Sequence, residues 1–189
     1  SLSKMWRSQA TGHFDIHPLV YDIDKDGNMD VYTGTTAFMY RMGGTGGQVW
    51  SNVIYSCLCP TISDYKTTGS LQVFAGKRGI EAMYHFSTNG DPYYWFVYGA
   101  GSFISPLTTV DIDDDGKQEL LIGNTDNKLY CFNDRAGTQW TFKTGGDIYS
   151  TPSVVDIDND GDLEVIFGSN DNSLYCLDSE GNKLWDFET

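Results

Sequence analysis

STPSVVDIDNDGDLEVIFGSNDNSLYCLDSEGNKLWDFET, residues 150–189, holds four short apolar runs: SVVDI (153–157), LEVIFG (163–168), SLYCLD (173–178) and NKLWDF (182–187). Asp, Asn and Gly separate them, and the Asp-Gly and Glu-Gly-Asn steps supply the positive φ that tight turns need. Pro152 stands at the start of the first run, where a missing N–H is tolerated. The unit repeats. All five tryptophans, Trp6, Trp50, Trp95, Trp140 and Trp185, follow one another at steps of 44, 45, 45 and 45 residues. Tyr40, Tyr84, Tyr130 and Tyr175 keep the same beat, as do Gly34, Gly76, Gly123 and Gly168 and the prolines Pro18, Pro60, Pro106 and Pro152. Four short strands per unit of about 45 residues is the signature of a β-propeller blade. No 3.6-residue apolar stripe is visible, so the expected class is all-β with almost no helix. The recurring Trp and Tyr are expected to fill the wedges between neighbouring blades.

The repeat divides residues 1–189 into the outer strand of a preceding or closing blade (1–12) and four blades, 13–54, 55–99, 100–144 and 145–189. That makes four first strands but five last strands. A ring closed by one chain needs no surplus strand. Three arrangements follow: an excerpt of a longer propeller, a dimer completing a larger ring, or a four-bladed ring with a displaced end strand. There is no initiator Met and no signal-peptide pattern at Ser1, so the chain is expected to be mature or excised from something longer.

Charge narrows the partners. The 189 residues carry 26 acids against 12 bases, a net −14. Such a chain repels nucleic acid and anionic membranes, so neither is an expected partner. No stretch approaches the roughly 20 apolar residues that span a bilayer. Fourteen of the acids fall within the windows 22–30, 111–119 and 156–164. They read DIDKDGNMD, DIDDDGKQE and DIDNDGDLE, with Asp at positions 1, 3 and 5, Gly at 6 and an acid at 9. Alternate carboxylates converge only if the chain curls around a centre, and Gly at position 6 permits the sharp turn.

The expected ligands are Asp22, Asp24, Asp26, Asn28 and Asp30 in the first loop and Asp111, Asp113, Asp115, Lys117 and Glu119 in the second. The third has Asp156, Asp158, Asp160, Asp162 and Glu164. Asn28, Lys117 and Asp162, at position 7, would lend a backbone carbonyl, which frees their side chains to vary. An all-oxygen set suits a hard cation taking about six to eight ligands, hence three Ca²⁺ sites. A solvated acidic turn is the alternative. Carboxylates this close repel by about 1 kcal/mol per pair even in water, and three such loops with Gly at one place call for an ion. Ile23, Ile112 and Ile157 at position 2 are expected to point into the sheet core. The second blade is an internal control: aligned at Asp64 it reads DYKTTGSLQ, with Lys66, Thr68 and Gln72 at positions 3, 5 and 9. An ammonium would stand where the ion should be, so this blade is expected to be metal-free.

The three loops resemble those of the FG-GAP repeats, the calcium-bearing blades of integrin α-subunit propellers and many bacterial surface proteins. The tryptophan text of each repeat is also similar to that of quinoprotein-type propellers. The first resemblance implies structural calcium in hairpin loops and a partner bound elsewhere, so the acids would be ligands and not catalysts. It implies a non-enzymatic adhesion, recognition or scaffold module outside the cell, on its surface or in a periplasm. The partner would be a protein or carbohydrate, and further blades from a longer chain or a second copy would extend the ring. The alternative is the propeller of a polysaccharide-active or quinone-dependent enzyme. His13 and His17 lie near the first strand, and His85 shares its repeat position with Cys131 and Cys176. No nucleophile–base pairing, phosphate loop or zinc spacing stands out. Two surface stretches, RMGGTGGQ (41–48) and NGDPYYWFVYG (89–99), are candidates for recognition or plain hairpins.

Overall fold

Each apolar run becomes a strand, and each quartet of runs an antiparallel meander. In the computed structural model, which describes residues 17–35, 37–53, 60–64, 71–76, 82–96 and 101–189, there is no helix among the described residues. The first sheet is β1 (Leu19–Tyr21), β2 (Asp30–Gly34), β3 (Phe38–Met42) and β4 (Gln48–Val53). The second is β5 (Thr61–Ser63), β6 (Gln72–Gly76), β7 (Ala82–Phe86) and β8 (Pro92–Phe96). The third is β9 (Thr108–Val110), β10 (Glu119–Gly123), β11 (Lys128–Phe132) and β12 (Thr138–Lys143). The fourth is β13 (Ser153–Val155), β14 (Glu164–Ser169), β15 (Ser173–Leu177) and β16 (Lys183–Glu188). Strands pair in chain order within every sheet, as propeller blades require. Residues 1–12, with Trp6 and the surplus last strand, lie outside the described residues, as do His13, Cys57, Cys59, Lys66 and Thr68.

The third and fourth strands of each blade meet in a short turn closed by a backbone bond, for example Asn133 N–H to Gly137 O at 2.9 Å and Asp178 N–H to Asn182 O at 2.9 Å. Stretch 41–48 is such a turn, closed by Gly43 N–H to Gly47 O at 2.8 Å. Stretch 89–99 holds the end of the corresponding turn and β8, with 97–99 outside the described residues. Both recognition candidates are thus hairpin elements common to every blade.

Strand periodicity decides where the core lies. Successive side chains on a strand point to opposite faces, so a blade between two others must be apolar on both. β10 shows this: Leu120 and Ile122 join Phe74, Phe103, Leu107, Tyr130 and Phe132 in a cluster between blades two and three. Leu121, between them in sequence, joins Ile112, Leu129, Cys131, Val165, Phe167 and Leu177 between blades three and four. Tyr32 and Met39 likewise meet Val73, Ala75, Tyr84 and Phe86 between blades one and two. The hydrophobic core is therefore a series of interblade seams.

Trp50 and Trp140 close the first and third of these seams. Trp50 stacks on Phe86 of the next blade at 5.6 Å between centroids, and its indole N–H donates to Thr88 O at 3.2 Å. Trp140 repeats the bond two seams later, to Ser179 O at 2.8 Å. The turn under each ring must be bare: a Cβ on Gly181 would stand 2.6 Å from the Trp140 ring, and φ there is +84°. Glycine satisfies both demands.

The fourth blade has an uncovered face. Ile112 is 3% exposed beneath blade four, whereas its equivalent Ile157 is 49% exposed. Leu129 is fully buried, and its equivalent Leu174 is 37% exposed. Trp185 and Phe187 are 39% and 62% exposed. The expectation that the position-2 isoleucine points into a core thus holds for Ile23 and Ile112 and not for Ile157. The reason is physical: the residue is buried by the following blade, and none follows blade four among the described residues.

Candidate metal centres

The acidic loops join the first and second strands of blades one, three and four. Their geometry is built by the position-1 aspartate, whose two oxygens accept from the backbone N–H groups of positions 5 and 6. Asp22 accepts from Asp26 and Gly27 at 3.0 Å each. Asp111 accepts from Asp115 at 3.0 Å and Gly116 at 2.9 Å, and Asp156 from Asp160 at 3.2 Å and Gly161 at 3.1 Å. The position-5 carboxylate accepts from the position-7 N–H: Asp26 from Asn28, Asp115 from Lys117, Asp160 from Asp162. Position 4 takes the left-handed conformation in all three, at Lys25, Asp114 and Asn159, with φ of 59°, 55° and 62°. Position 6 has φ of 89°, 83° and 100° at Gly27, Gly116 and Gly161. A Cβ there would meet nothing within 4 Å, so the glycine answers the dihedral and not a lack of space.

Curling the loop this way gathers its carboxylates. One oxygen from each of Asp22, Asp24 and Asp26 lies within 4.8 Å of the others, as for Asp111, Asp113 and Asp115, and for Asp156, Asp158 and Glu164. The position-9 glutamates rise from the first residue of the second strand and are buried, and each turns back on the loop. Glu119 Oε2 accepts from Ile112 N–H at 3.0 Å, and Glu164 Oε2 from Ile157 N–H at 2.9 Å. Burial, added to the neighbouring Asp113, Asp115 and Asp111, pushes the Glu119 carboxyl up to about 7. Burial and nearby carboxylates disfavour its charged form, a cost that a proton or a cation at the loop relieves. The donors are all oxygen and converge on a sharp turn, which fits a hard divalent cation.

The position-7 side chains do not enter the cluster uniformly: Lys117 Nζ pairs with Asp115 Oδ2 at 2.9 Å on the exposed side, holding Asp115 below the usual carboxylate range. The loops also have neighbours that sequence reading missed. Gln139 Nε2 donates to Asp113 Oδ2 at 2.9 Å. In blade one, the Arg41 guanidinium bonds Asp24 and, at 2.7 Å, Asp30. Arg41 stands at the repeat position of His85, Cys131 and Cys176, directly after the periodic tyrosine, and that register was the available signal. Cys131 and Cys176 are free and buried below their loops, and burial raises both thiols. His85 packs against Phe74 at 5.6 Å between ring centroids, a place in a seam.

The acidic loops of blades one and three lie against the turn of the next blade. Ile23, Asp24 and Lys25 share a cavity of about 370 Å³ with Leu71, Gln72, Ser87 and Thr88. Asp111 to Asp114 share one of about 450 Å³ with Asp162, Ser179 and Glu180. Ordering a loop therefore also fixes the isoleucine that it inserts into the following blade. No helix among the described residues is long and apolar enough to cross a membrane.

Comparison with known proteins agrees with this architecture. Residues 111–167 match the FG-GAP-like repeat family, and residues 146–189 match the lambda-carrageenase beta-propeller domain. No curated protein sequence matches the chain. Among solved structures, BamB from Moraxella catarrhalis is 16% identical with a TM-score of 0.70, over 97% of this chain and 55% of that one. The V. cholerae biofilm matrix protein Bap1 is 14% identical with a TM-score of 0.69, over 91% of this chain and 28% of that one. Quinohemoprotein alcohol dehydrogenase from Comamonas testosteroni is 11% identical with a TM-score of 0.64, over 84% and 34%. At these identities the likeness is one of fold. The chain spans little more than half, or less, of each of these structures.

Proposed function

We propose that this chain is a non-enzymatic propeller module whose acidic loops hold Ca²⁺, and that it serves recognition, adhesion or scaffolding outside the cell or in a periplasm. The observation that carries the reading is the loop geometry that brings mutually repelling oxygens of Asp111, Asp113 and Asp115 within 4.8 Å of one another, beside the buried Glu119. A divalent cation relieves that repulsion and ties the loop to the next blade. Extracellular calcium sites commonly bind at about 0.1–1 mM, a level met outside the cytosol. The likeness to a biofilm matrix protein supports the same setting. Protein and carbohydrate are the partner classes that suit an acidic surface, and the uncovered face of blade four suits a further blade, from a longer chain or a second copy.

A second reading is favoured by one observation, the match of residues 146–189 to a carrageenase propeller domain. In that case the chain is the propeller of a polysaccharide-active enzyme. The quinone-dependent alternative has only a likeness of fold behind it. Incubation with lambda-carrageenan, followed by thermal unfolding and a reducing-end assay, separates the first two. The recognition reading predicts that polysaccharide or protein ligands raise the Tm with no new reducing ends. Release of reducing ends overturns it in favour of the enzyme.

A further inference from the structure

The three acidic loops are not equivalent. In blades three and four the position-9 acid is a glutamate that reaches back to the loop backbone, and the residue beneath it on the third strand is a neutral cysteine, Cys131 or Cys176. In blade one both choices change together. The acid is the shorter Asp30, and the residue beneath is Arg41, buried with Asp30 at 5% exposure each. One guanidinium nitrogen of Arg41 bonds the position-3 and position-9 carboxylates, Asp24 and Asp30. The other donates to Thr88 O, in the turn of blade two, at 3.0 Å.

We infer that the first loop carries its own cation: Arg41 takes the charge-balancing place that calcium fills in the loops of blades three and four, so the chain binds two calcium ions and not three. This rests on the calcium reading of those two loops. The chemistry is direct. A guanidinium is always charged and forks across two acceptors, so it satisfies both carboxylates that a metal would need from positions 3 and 9. Beyond the guanidinium the loop offers Asp22, Asp26, the second oxygen of Asp24 and a backbone carbonyl, short of the about six to eight oxygens that calcium takes. A divalent ion entering there would also face a fixed positive charge in a partly buried site. The contact to Thr88 gives the arginine the second task of the metal loops, tying the loop to the next blade, without dependence on calcium supply.

Isothermal titration with calcium chloride tests this on three proteins: the wild-type chain, the double variant Asp113→Ala with Asp158→Ala, and that double variant with Arg41→Cys added. Cysteine is the residue that blades three and four use at this position, so the change is compatible with the strand. The expected stoichiometries are two, none and one. One equivalent on the double variant overturns the inference and leaves the calcium reading intact. No ion regained with Arg41→Cys, at an unchanged far-UV circular dichroism spectrum, overturns the assignment to arginine. Should that variant fail to fold, the first two proteins decide alone. No binding by any of the three overturns the calcium reading, and the inference with it.

Discussion

Excess EGTA is expected to lower the Tm of the chain by about 6–12 °C relative to about 1 mM calcium. At about 1 mM calcium a site with a dissociation constant of about 0.1 mM adds about 1.4 kcal/mol, and two give about 3. For a chain of this size one kcal/mol moves the Tm by about 2–4 °C. Asp113→Ala with Asp158→Ala should reproduce the low Tm in calcium and lose its response to EGTA. The effect is large because the loop is more than a surface hairpin. Its position-2 side chain, Ile112, belongs to the seam between blades three and four, together with Leu121, Leu129, Val165 and Phe167. A loop that opens under carboxylate repulsion withdraws that side chain, and the seam loosens with it. An unchanged Tm in EGTA would leave the acidic loops as solvated turns.

Trp140→Ala should destabilise the chain by about 3 kcal/mol, while Trp185→Ala should cost less than about 1 kcal/mol. The two residues hold the same repeat position, so the pair separates context from chemistry. Trp140 lies over the Gly181 turn and donates to Ser179 O, and its removal opens a cavity in a seam and leaves a carbonyl without its donor. Trp185 sits on the outer face of the fourth blade and is 39% exposed. Denaturant unfolding of both variants checks the difference. A Trp185→Ala cost equal to that of Trp140→Ala, growing with protein concentration, would mean that a second copy covers the face in solution.

The seams were legible in the sequence because each is filled by the same large side chains. A Trp or Tyr displaced by one residue would point to the other face of its strand, so the period is strict and readable. The loops were legible for a related reason: convergent carboxylates and a positive φ at position 6 leave little freedom in residue type. Arg41 escaped because it is an exception within a repeat, a single cation where the other blades carry His85, Cys131 and Cys176. Seen alone it is one arginine in a strand. Only its distance to Asp30 shows its role. The exposure of Ile157 escaped for the opposite reason. Its local sequence is that of Ile112, and the difference lies in which blade comes next. The stretches 41–48 and 89–99 drew notice through glycine and aromatic content; the first holds a hairpin turn and the second contains β8, Pro92–Phe96. Recognition surfaces of propellers are loops under no common chemical constraint, so one sequence does not mark them.

The central claim, that the acidic loops of blades three and four are ion sites, is tested most directly by elemental analysis of the chain after equilibrium dialysis against buffer containing about 1 mM calcium. The account predicts two equivalents of calcium per chain, lost on dialysis against EGTA and absent from Asp113→Ala with Asp158→Ala. A wild-type chain that retains no calcium above the dialysis buffer would contradict it.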